Sequence, residues 1–225
     1  MQIKRTSDVT LEGITILVYG NSGVGKTSLI RTIPGRVLIL SAEAGLLSLR
    51  DKDIEYVGIH NMADLNEAYA YILSHLEDYS CVVLDSLSEI GEVILASEKK
   101  ATRDGRQAYL SMQDQLMELI RAFRDLPVNV YMTAKMDRSR DDVSGMMIYS
   151  ASLPGQKCSQ NLPYLFDEVL CMRCENDEDG KPVRFLQTFT DSSYCCKDRS
   201  GTLEPYETPD LGKIMEKINE SKADR

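Results

Sequence analysis

The segment Ile14-Thr-Ile-Leu-Val-Tyr-Gly-Asn-Ser-Gly-Val-Gly-Lys-Thr27 joins an apolar, β-branched run to a glycine-rich loop. Residues 20–27 match the pattern G-x-x-x-x-G-K-T, in which glycines let backbone N–H groups wrap around a phosphate. This mechanism requires an apolar strand before the loop and a helix after it, and a helix-forming segment does begin at Lys26. The segment therefore predicts a phosphate-binding loop between the first strand and the first helix of an α/β domain.

Residue types in this loop indicate how a nucleoside triphosphate would be held. The Lys26 ammonium would neutralise β- and γ-phosphate oxygens, and the Thr27 hydroxyl would ligate Mg²⁺. A glycine turn that binds no ligand is the alternative interpretation. We predict ATP and Mg²⁺ as ligands, and the predicted ATP-binding residues are Gly20, Asn21, Ser22, Gly23, Val24, Gly25, Lys26, Thr27 and Ser28.

A predicted metal-binding carboxylate follows a second apolar run. Asp85 ends the segment 81–85, whose short β-branched composition is typical of a strand buried on both faces. A carboxylate at such a strand end would hold Mg²⁺ through water, together with Thr27. The alternative is that Asp85 or Ser86 caps the next helix.

A second carboxylate is the predicted general base. Glu43 follows the apolar run 36–41 and would activate the water that attacks the γ-phosphate. An ATPase needs such a group, whereas a simple kinase of this fold does not. The alternative is that Ser41 caps a helix and Glu43 only favours the positive end of that helix.

Strand-length apolar runs alternate with segments of helical period along the whole chain. This order predicts a three-layer α/β P-loop NTPase fold with a mostly parallel sheet, closed by a C-terminal antiparallel hairpin over 166–175 and 183–190. We expect residues 1–225 to form a single domain. Its core would span about 14–205, and its C-terminal helix about 209–221.

Composition excludes several classes of protein. The 225 residues are 43% hydrophobic, which argues against disorder, and 26 Lys and Arg against 35 Asp and Glu give a net charge of −9. This charge excludes a uniformly basic nucleic-acid coat and an anionic-membrane binder, although not a local basic patch. No apolar run reaches the ~18–20 residues of a membrane span. The first residues lack the apolar stretch of an export signal, so we expect a cytoplasmic protein without a membrane partner.

The six cysteines are expected to be reduced thiols in that compartment. Cys171, Cys174, Cys195 and Cys196 could form a four-thiolate zinc site. However, positions 171 and 174 lie in a predicted strand, where residues three apart face opposite sides. Packing of the thiols is therefore the favoured interpretation, and zinc binding stays open.

Beyond the phosphate loop, the position of Glu43 resembles that in the RecA recombinase and replicative-helicase group. Lys197-Asp-Arg-Ser-Gly201 resembles the Lys-x-Arg/Lys element on a late strand of those proteins. The order of elements from Ile14 to Pro205 is similar to the phage-type RecA-like ATPases of single-strand annealing and recombination. The family resemblance therefore implies a RecA-like core, and the host cytoplasm if a phage encodes the chain.

The same resemblance implies further catalytic residues. Lys197 and Arg199 would reach into the ATP site of a neighbouring subunit as cationic fingers, completing it in trans in a ring or filament. A solvated turn is the alternative for these two residues. Thr133 occupies the position of a polar sensor of the γ-phosphate, where the family more often has Gln or Asn, and Lys135 could share this role. With the residues above, the predicted catalytic set is Lys26, Glu43, Thr133, Lys197 and Arg199.

Two loops would contact single-stranded DNA if the resemblance holds. They correspond to 97–107, with a net charge of +2, and to 135–153, which is predicted to be a long loop or a hairpin. A solvated charged surface is the alternative for both, and a single-strand-binding protein is a further candidate partner. The DNA-contact candidates are Lys99, Lys100, Arg103 and Arg106 in the first loop and Arg138 and Arg140 in the second.

The predicted function is ATP binding and hydrolysis coupled to single-stranded DNA in phage recombination, annealing or replication. DNA or oligomerisation is expected to stimulate the hydrolysis. Two alternatives stay open: a P-loop small-molecule kinase, and a nucleotide-gated adaptor or helicase loader that does not bind DNA directly.

Overall fold

A ten-stranded sheet organises the computed structural model, which describes residues 13–223 except 44 and 143. The first residues, on which the expected lack of an export signal depends, lie outside this range. The strands are β1 (Thr15–Gly20), β2 (Val37–Ser41), β3 (Glu55–Gly58), β4 (Cys81–Asp85), β5 (Asn129–Arg140), β6 (Met147–Ser152), β7 (Glu168–Asn176), β8 (Pro182–Gln187), β9 (Lys197–Asp198) and β10 (Tyr206–Glu207). The α-helices are α1 (Met62–Ser74), α2 (Leu87–Ala101), α3 (Gly105–Arg124), α4 (Gln156–Asn161) and α5 (Leu211–Ala223).

The strand order β10-β8-β7-β1-β5-β4-β2-β3 brings the predicted site together. The strands from β7 to β3 along this order are parallel to one another, so their carboxyl ends meet at one edge of the sheet. We call it the carboxyl edge. Strand β5 lies between β1 and β4, and it places the end of the phosphate-loop strand one strand away from Asp85. Ser41 is the register partner of Asp85, which brings the residues after β2 to the same place.

Apolar side chains on both faces of the sheet produce three layers. One face packs against α1, α2 and α3, where the buried side chains of α3 recur about every four residues. The other face packs against the segment after the phosphate loop and against α5. Every residue of β1, β2 and β4 is buried, as expected for strands covered on both sides. The predicted three-layer α/β fold is therefore confirmed.

Two hairpins extend the parallel core. Strands β7 and β8 form the predicted antiparallel hairpin, whose turn is closed by the Asp177 carboxylate accepting the N–H groups of Asp179 and Lys181. Strand β5 continues past the end of its parallel neighbours and pairs with β6 from Lys135↔Ser152 to Arg140↔Met147. This second hairpin therefore projects from the carboxyl edge. No helix in the described part of the chain is long and apolar enough to cross a membrane.

The expected loop over 97–107 is mostly helical, which corrects the sequence prediction. Helix α2 continues to Ala101, and α3 begins at Gly105 with Asp104 as its N-cap. The polar residues of this segment are the solvated surface of two helix ends rather than a long loop. Only residues 102–104 separate the two helices.

The segment after the phosphate loop also differs from the prediction. Thr27–Thr32 is a 3₁₀ helix of six residues and not an α-helix. Ile33 is extended, with φ −73° and ψ 126°, as expected of a residue that precedes proline. Pro34 therefore ends the helix before a longer one can form.

Helix α2 packs closely against the end of the β5–β6 hairpin at Gly91. A Cβ at this position would lie 2.8 Å from Cδ and 2.9 Å from Cγ of Pro154. Replacing a mid-helix glycine by alanine usually stabilises by roughly 0.5–1 kcal/mol. We expect the opposite sign for Gly91→Ala, a loss of about 1–3 kcal/mol, because the added methyl group overpacks this contact.

Urea denaturation measures this difference. Gly105→Ala is the matched control, because a Cβ at Gly105 meets nothing within 4 Å, and we expect it to be neutral or stabilising. Equal stability of both variants would show that α2 has room to shift away from Pro154.

Candidate functional site

The phosphate loop follows β1 without a break and depends on two glycines. Gly23 and Gly25 have φ of 73° and 118°, a region that favours glycine. The Lys26 ammonium donates to the carbonyl oxygens of Gly20 at 2.9 Å and Asn21 at 3.0 Å, so its side chain folds across the loop. The loop is therefore closed around its own lysine.

Two side chains outside the motif anchor this loop. The Tyr131 hydroxyl donates to the Lys26 carbonyl oxygen at 2.9 Å, and Arg184 Nε donates to the Val24 carbonyl oxygen at 2.9 Å. Neither residue is among those that the sequence indicates for the site. The sequence around Tyr131 indicates only a buried strand. Arg184 lies in the β7–β8 hairpin, 160 residues from Val24. No local pattern could have indicated either contact.

A cavity of about 540 Å³ opens over the loop at the carboxyl edge. Eight of the nine predicted ATP-binding residues line it, and Val24 lines an adjoining cavity of about 290 Å³ instead. The larger cavity also includes Glu43 and Lys135, so groups that follow or end β1, β2 and β5 face the same space. Its lining residues are Gly20, Asn21, Ser22, Gly23, Gly25, Lys26, Thr27, Ser28, Glu43, Gly45, Ser48, Lys135 and Met136.

Asp85 lies directly behind Thr27 at the end of β4. Its carboxylate accepts the Thr27 hydroxyl at 2.8 Å and the Thr133 hydroxyl at 2.5 Å, and only 1% of the residue is exposed. Burial raises the pKa of Asp85, while these two hydrogen bonds and Lys26 act against the increase. A carboxylate and a hydroxyl that share one point are oxygen ligands of the kind Mg²⁺ prefers. The donor set therefore fits a magnesium ion.

Thr133 does not reach the cavity, in contrast to its predicted place beside the γ-phosphate. The residue is fully buried, and its hydroxyl binds Asp85. The physical reason is its register, because Thr133 pairs with Val18 inside the sheet whereas Lys135 pairs with Gly20 at the edge. Thr133 therefore contacts the site only through Asp85.

Glu43 lines the cavity from the β2 side. Its carboxylate accepts the Ser86 hydroxyl at 2.5 Å, and its backbone N–H donates to the Asp85 carbonyl oxygen at 3.3 Å. The Ser41 hydroxyl donates to the Glu43 carbonyl oxygen at 2.6 Å and caps no helix. Burial lowers the pKa of Lys26, and the nearby carboxylates of Glu43 and Asp85 act against this. The Lys26 ammonium therefore lies in the electrostatic field of Glu43, which lines the cavity, and of Asp85, which is buried behind it.

Lys135 is the second cation of the cavity. Its ammonium forms an ion pair with Glu89 in the first turn of α2, and this hydrogen bond raises the pKa of Lys135. The Lys135 backbone N–H donates to the Ser88 hydroxyl oxygen at 2.9 Å. Both contacts connect the end of β5 to the start of α2.

Lys197 and Arg199 lie at the opposite edge of the sheet. The Lys197 ammonium donates to the carbonyl oxygens of Pro163 and Phe166 at 3.1 and 2.6 Å, and the Arg199 guanidinium donates to Asp167 at 2.7 Å. Asp167 also accepts the N–H of Thr15, the first residue of β1. Gly20 is five residue steps further along β1 than Thr15, a distance of about 16 Å. The structure therefore does not bring these two cations to the cavity of their own chain.

The DNA-contact candidates are exposed, and they lie beyond the carboxyl edge. Arg138 and Arg140 are on the projecting part of β5. Helix α2 starts at this edge, and it packs antiparallel to α3, as the 2.8 Å hydrogen bond from Gln115 to Glu98 indicates. Because α3 returns to the amino end of β5, the turn at 102–104 points outward. The remaining candidates surround that turn and are Lys99, Lys100, Arg103 and Arg106.

The cysteines do not gather into a metal site. Cys171 is buried on β7 and Cys174 is exposed, as expected for strand residues three apart. The Cys196 sulfur lies 3.9 Å from the Tyr19 hydroxyl. Burial raises the pKa of Cys171 to about 11 and that of Cys196 to about 12, so both are thiols at neutral pH. Among residues 13–223 with their gaps, no three His, Cys, Asp or Glu side chains could hold an ion together.

Comparison with known proteins places the chain in a family. The model of the AAA domain family matches residues 12–200, and the chain belongs to this family. No curated protein matches the sequence. Among solved structures, the chain is similar to the KaiC-like protein PH0186 from Pyrococcus horikoshii OT3, with 14% identity over 77% of each chain and a TM-score of 0.42. The family and the phosphate loop together define a P-loop ATPase domain.

Proposed function

We propose that this chain hydrolyses ATP in the 540 Å³ cavity over the phosphate loop. One observation carries the proposal: the buried Asp85 carboxylate holds the Thr27 hydroxyl, while Glu43 lines the same cavity. Phosphate binding, metal binding and water activation thus have separate groups within one space. This arrangement favours hydrolysis over nucleotide binding alone.

The phosphate loop would bind the triphosphate through its backbone N–H groups and Lys26. The ammonium would leave the carbonyl oxygens of Gly20 and Asn21 for phosphate oxygens, which carry full charges and bind it more strongly. Thr27 and Asp85 would hold Mg²⁺, and Thr133 would keep Asp85 oriented. The metal ion, when bound, neutralises charge on the β- and γ-phosphates.

Glu43 would act as the general base in the hydrolysis step. It takes a proton from the water whose oxygen forms the new bond to the γ-phosphorus, and the bond from phosphorus to the β-phosphate oxygen breaks. ADP and inorganic phosphate are the products. The Ser86 hydroxyl, which lies 2.5 Å from the Glu43 carboxylate, would restrict the orientation of that carboxylate before the proton is transferred.

Removing the base should separate hydrolysis from binding. We expect Glu43→Gln to lower the turnover number for phosphate release by about 10²–10⁴-fold, because the amide cannot accept the proton. Its affinity for Mg·ATP should stay near that of the wild type, whereas Lys26→Ala should lose binding. Calorimetry and a phosphate-release assay measure the two quantities.

Glu67→Gln is the control, because it removes one exposed carboxylate from helix α1. Unchanged turnover in Glu43→Gln would contradict the assignment of the base. ADP that forms without phosphate, and only when a metabolite is added, would favour the small-molecule kinase. The nucleotide-gated adaptor would be favoured by two results together. The wild type would have negligible turnover, and it would bind a protein partner that Lys26→Ala does not bind.

Self-association would bring Lys197 and Arg199 to an ATP site. Their distance from the cavity of their own chain is consistent with a role only in a second copy, as the RecA resemblance implies. Arg199 is the more accessible of the two, with 54% of its side chain exposed and one partner, Asp167. A cation supplied by a second copy would stabilise charge on the γ-phosphate oxygens in the transition state.

Mixing two inactive variants tests completion of the site in trans. Arg199→Ala keeps an intact cavity, and Lys26→Ala keeps the cationic residues, so an equimolar mixture should recover activity above the sum of the separate variants. Wild-type activity per chain should also fall on dilution. Arg36→Ala, which removes another exposed and paired arginine, is the control. Activity that stays constant on dilution, with no recovery in the mixture, would exclude the trans role.

Single-stranded DNA is the proposed partner of the basic residues beyond the carboxyl edge. Lys99 lies over the Tyr109 ring, with its ammonium 5.4 Å from the ring centre, so a cation and an aromatic surface are adjacent there. Such pairs suit phosphate contact and base stacking. A role in phage annealing, recombination or replication, with or without a single-strand-binding protein, is the corresponding biological proposal.

Salt dependence of binding tests this partner. Arg103→Ala combined with Arg106→Ala should weaken binding of a labelled single strand and reduce the slope of log affinity against log salt by about 1.4, or ~0.7 for each lost phosphate contact. Fluorescence anisotropy with Mg·ATP measures both values. Arg50→Ala combined with Arg121→Ala removes the same charge elsewhere. An equal effect of both pairs would exclude a specific contact at 102–106.

A further inference from the structure

Glu168 is a buried acid that the proposed ATPase mechanism does not use. It is the first residue of β7, it is fully buried, and it lies on the strand face that carries Leu170 and Met172. Its Oε1 accepts the Ser200 N–H at 3.2 Å. Its Oε2 accepts no hydrogen bond from any donor, and it is the one buried side-chain oxygen or nitrogen in the described residues without such a donor. Its carboxyl is hydrogen-bonded to the Asp198 carboxylate. A charge at this oxygen would be strongly disfavoured.

Asp198 faces Glu168 directly, as its register partner on β9. The Asp198 carboxylate accepts the Ser200 hydroxyl at 2.6 Å and the N–H groups of Gly201 and Leu203 at 2.7 and 3.1 Å. Burial acts to raise the pKa of Asp198, but these hydrogen bonds hold it below its usual value. Because the donors gather on Asp198, this residue carries the charge of the pair and Glu168 carries the proton.

No cation forms an ion pair with Glu168 within the described part of the chain. Lys197 is nearby, but its ammonium donates to two backbone carbonyl oxygens, and Arg199 is paired with Asp167. Helix α5, which packs on the same apolar cluster, contributes Lys217, and that lysine binds Glu207. Burial, followed by the charge of Asp198, raises the pKa of Glu168 to about 8.

We propose that Glu168 is a proton-operated latch for residues 197–203. Its neutral carboxyl allows β9 and the following turn to lie on β7. Loss of the proton to solvent would place two carboxylates in register and expel the turn. Residues 197–203 include Lys197 of β9 and Arg199 of the turn, so the same event would release both cations from their partners in their own chain. The latch does not depend on ATP binding or hydrolysis.

Limited trypsin digestion without nucleotide tests the latch, because trypsin cleaves after Arg199 only when the turn opens. Cleavage after Arg103, in the exposed turn between α2 and α3, serves as the internal reference for the pH dependence of trypsin itself. The ratio of cleavage at Arg199 to cleavage at Arg103 should rise at least tenfold between pH 6.5 and pH 9. In Glu168→Gln, which keeps a neutral group of the same shape, the ratio should stay low at both pH values.

Glu207→Gln is the matched control, since Glu207 is also buried but pairs with Lys217, and it should keep the wild-type pH response. A wild-type ratio that does not change with pH would overturn the latch. So would an equal rise in Glu168→Gln. If Glu168→Gln fails to fold, the pH dependence of the cleavage ratio in the wild type is sufficient to test the latch.

Urea unfolding gives an independent readout with a defined sign. Between the ordinary pKa of glutamate and about 8, the unfolded chain has released a proton that the folded chain keeps. Wild-type stability relative to Glu168→Gln should therefore fall as pH rises through this window and level off above it. A difference between the two that is constant from pH 5 to pH 9 would contradict a protonated Glu168.

Discussion

The carboxylate of Asp85 is the group on which this site depends. It is almost completely buried, and an uncompensated charge in a buried position is strongly destabilising. Two threonine hydroxyls, one from the phosphate loop and one from the neighbouring strand β5, bind its two oxygens. The interaction joins three strands at one edge and leaves a polar point at which a divalent cation would replace a hydrogen bond. The side chains of Thr27 and Thr133 are both oriented by it.

The sheet order explains why these groups meet. A parallel sheet brings the carboxyl ends of its strands to one edge, and β5 separates the phosphate-loop strand from the strand of Asp85 by one position. That spacing leaves room for Glu43 on one side and Lys135 on the other, with Ser86 and Glu89 of α2 as their partners. Both partners lie in the first turn of α2 or at its N-cap. Helix α2 therefore contacts each charged wall of the cavity.

The opposite edge has a different chemistry. There Lys197 of β9 contacts backbone carbonyl oxygens, and Arg199 of the following turn pairs with Asp167, next to the buried Glu168. The proposed latch at this edge and the proposed phosphate site at the other lie too far apart for direct contact. A second copy of the chain would be needed to bring the released cations to a triphosphate. The proposed latch and the proposed trans role thus concern the same residues but stand on different observations.

Local sequence determined the parts of this protein that depend on short-range chemistry. The phosphate loop, its glycines, the buried strands and the closing hairpin could be predicted, because each is encoded within about ten residues by periodicity or by a motif. Glu43 and Asp85 could be proposed from their places after apolar strands, although caps were an equal alternative for such residues. The helical character of 97–107 was not predicted, since polar residues fit a helix surface as well as a loop. The 3₁₀ form of Thr27–Thr32 was also not predicted, although Pro34 follows it closely.

Only the tertiary structure decided which distant groups share an environment. Tyr131 and Arg184 anchor the phosphate loop, Thr133 binds Asp85 rather than opening onto the cavity, and Glu168 is buried beside Asp198. Strand order and register set each of these contacts, and both arise from the packing of the whole sheet. A sequence pattern specifies what a side chain can do, whereas burial and neighbours from remote segments determine its charge and its partner.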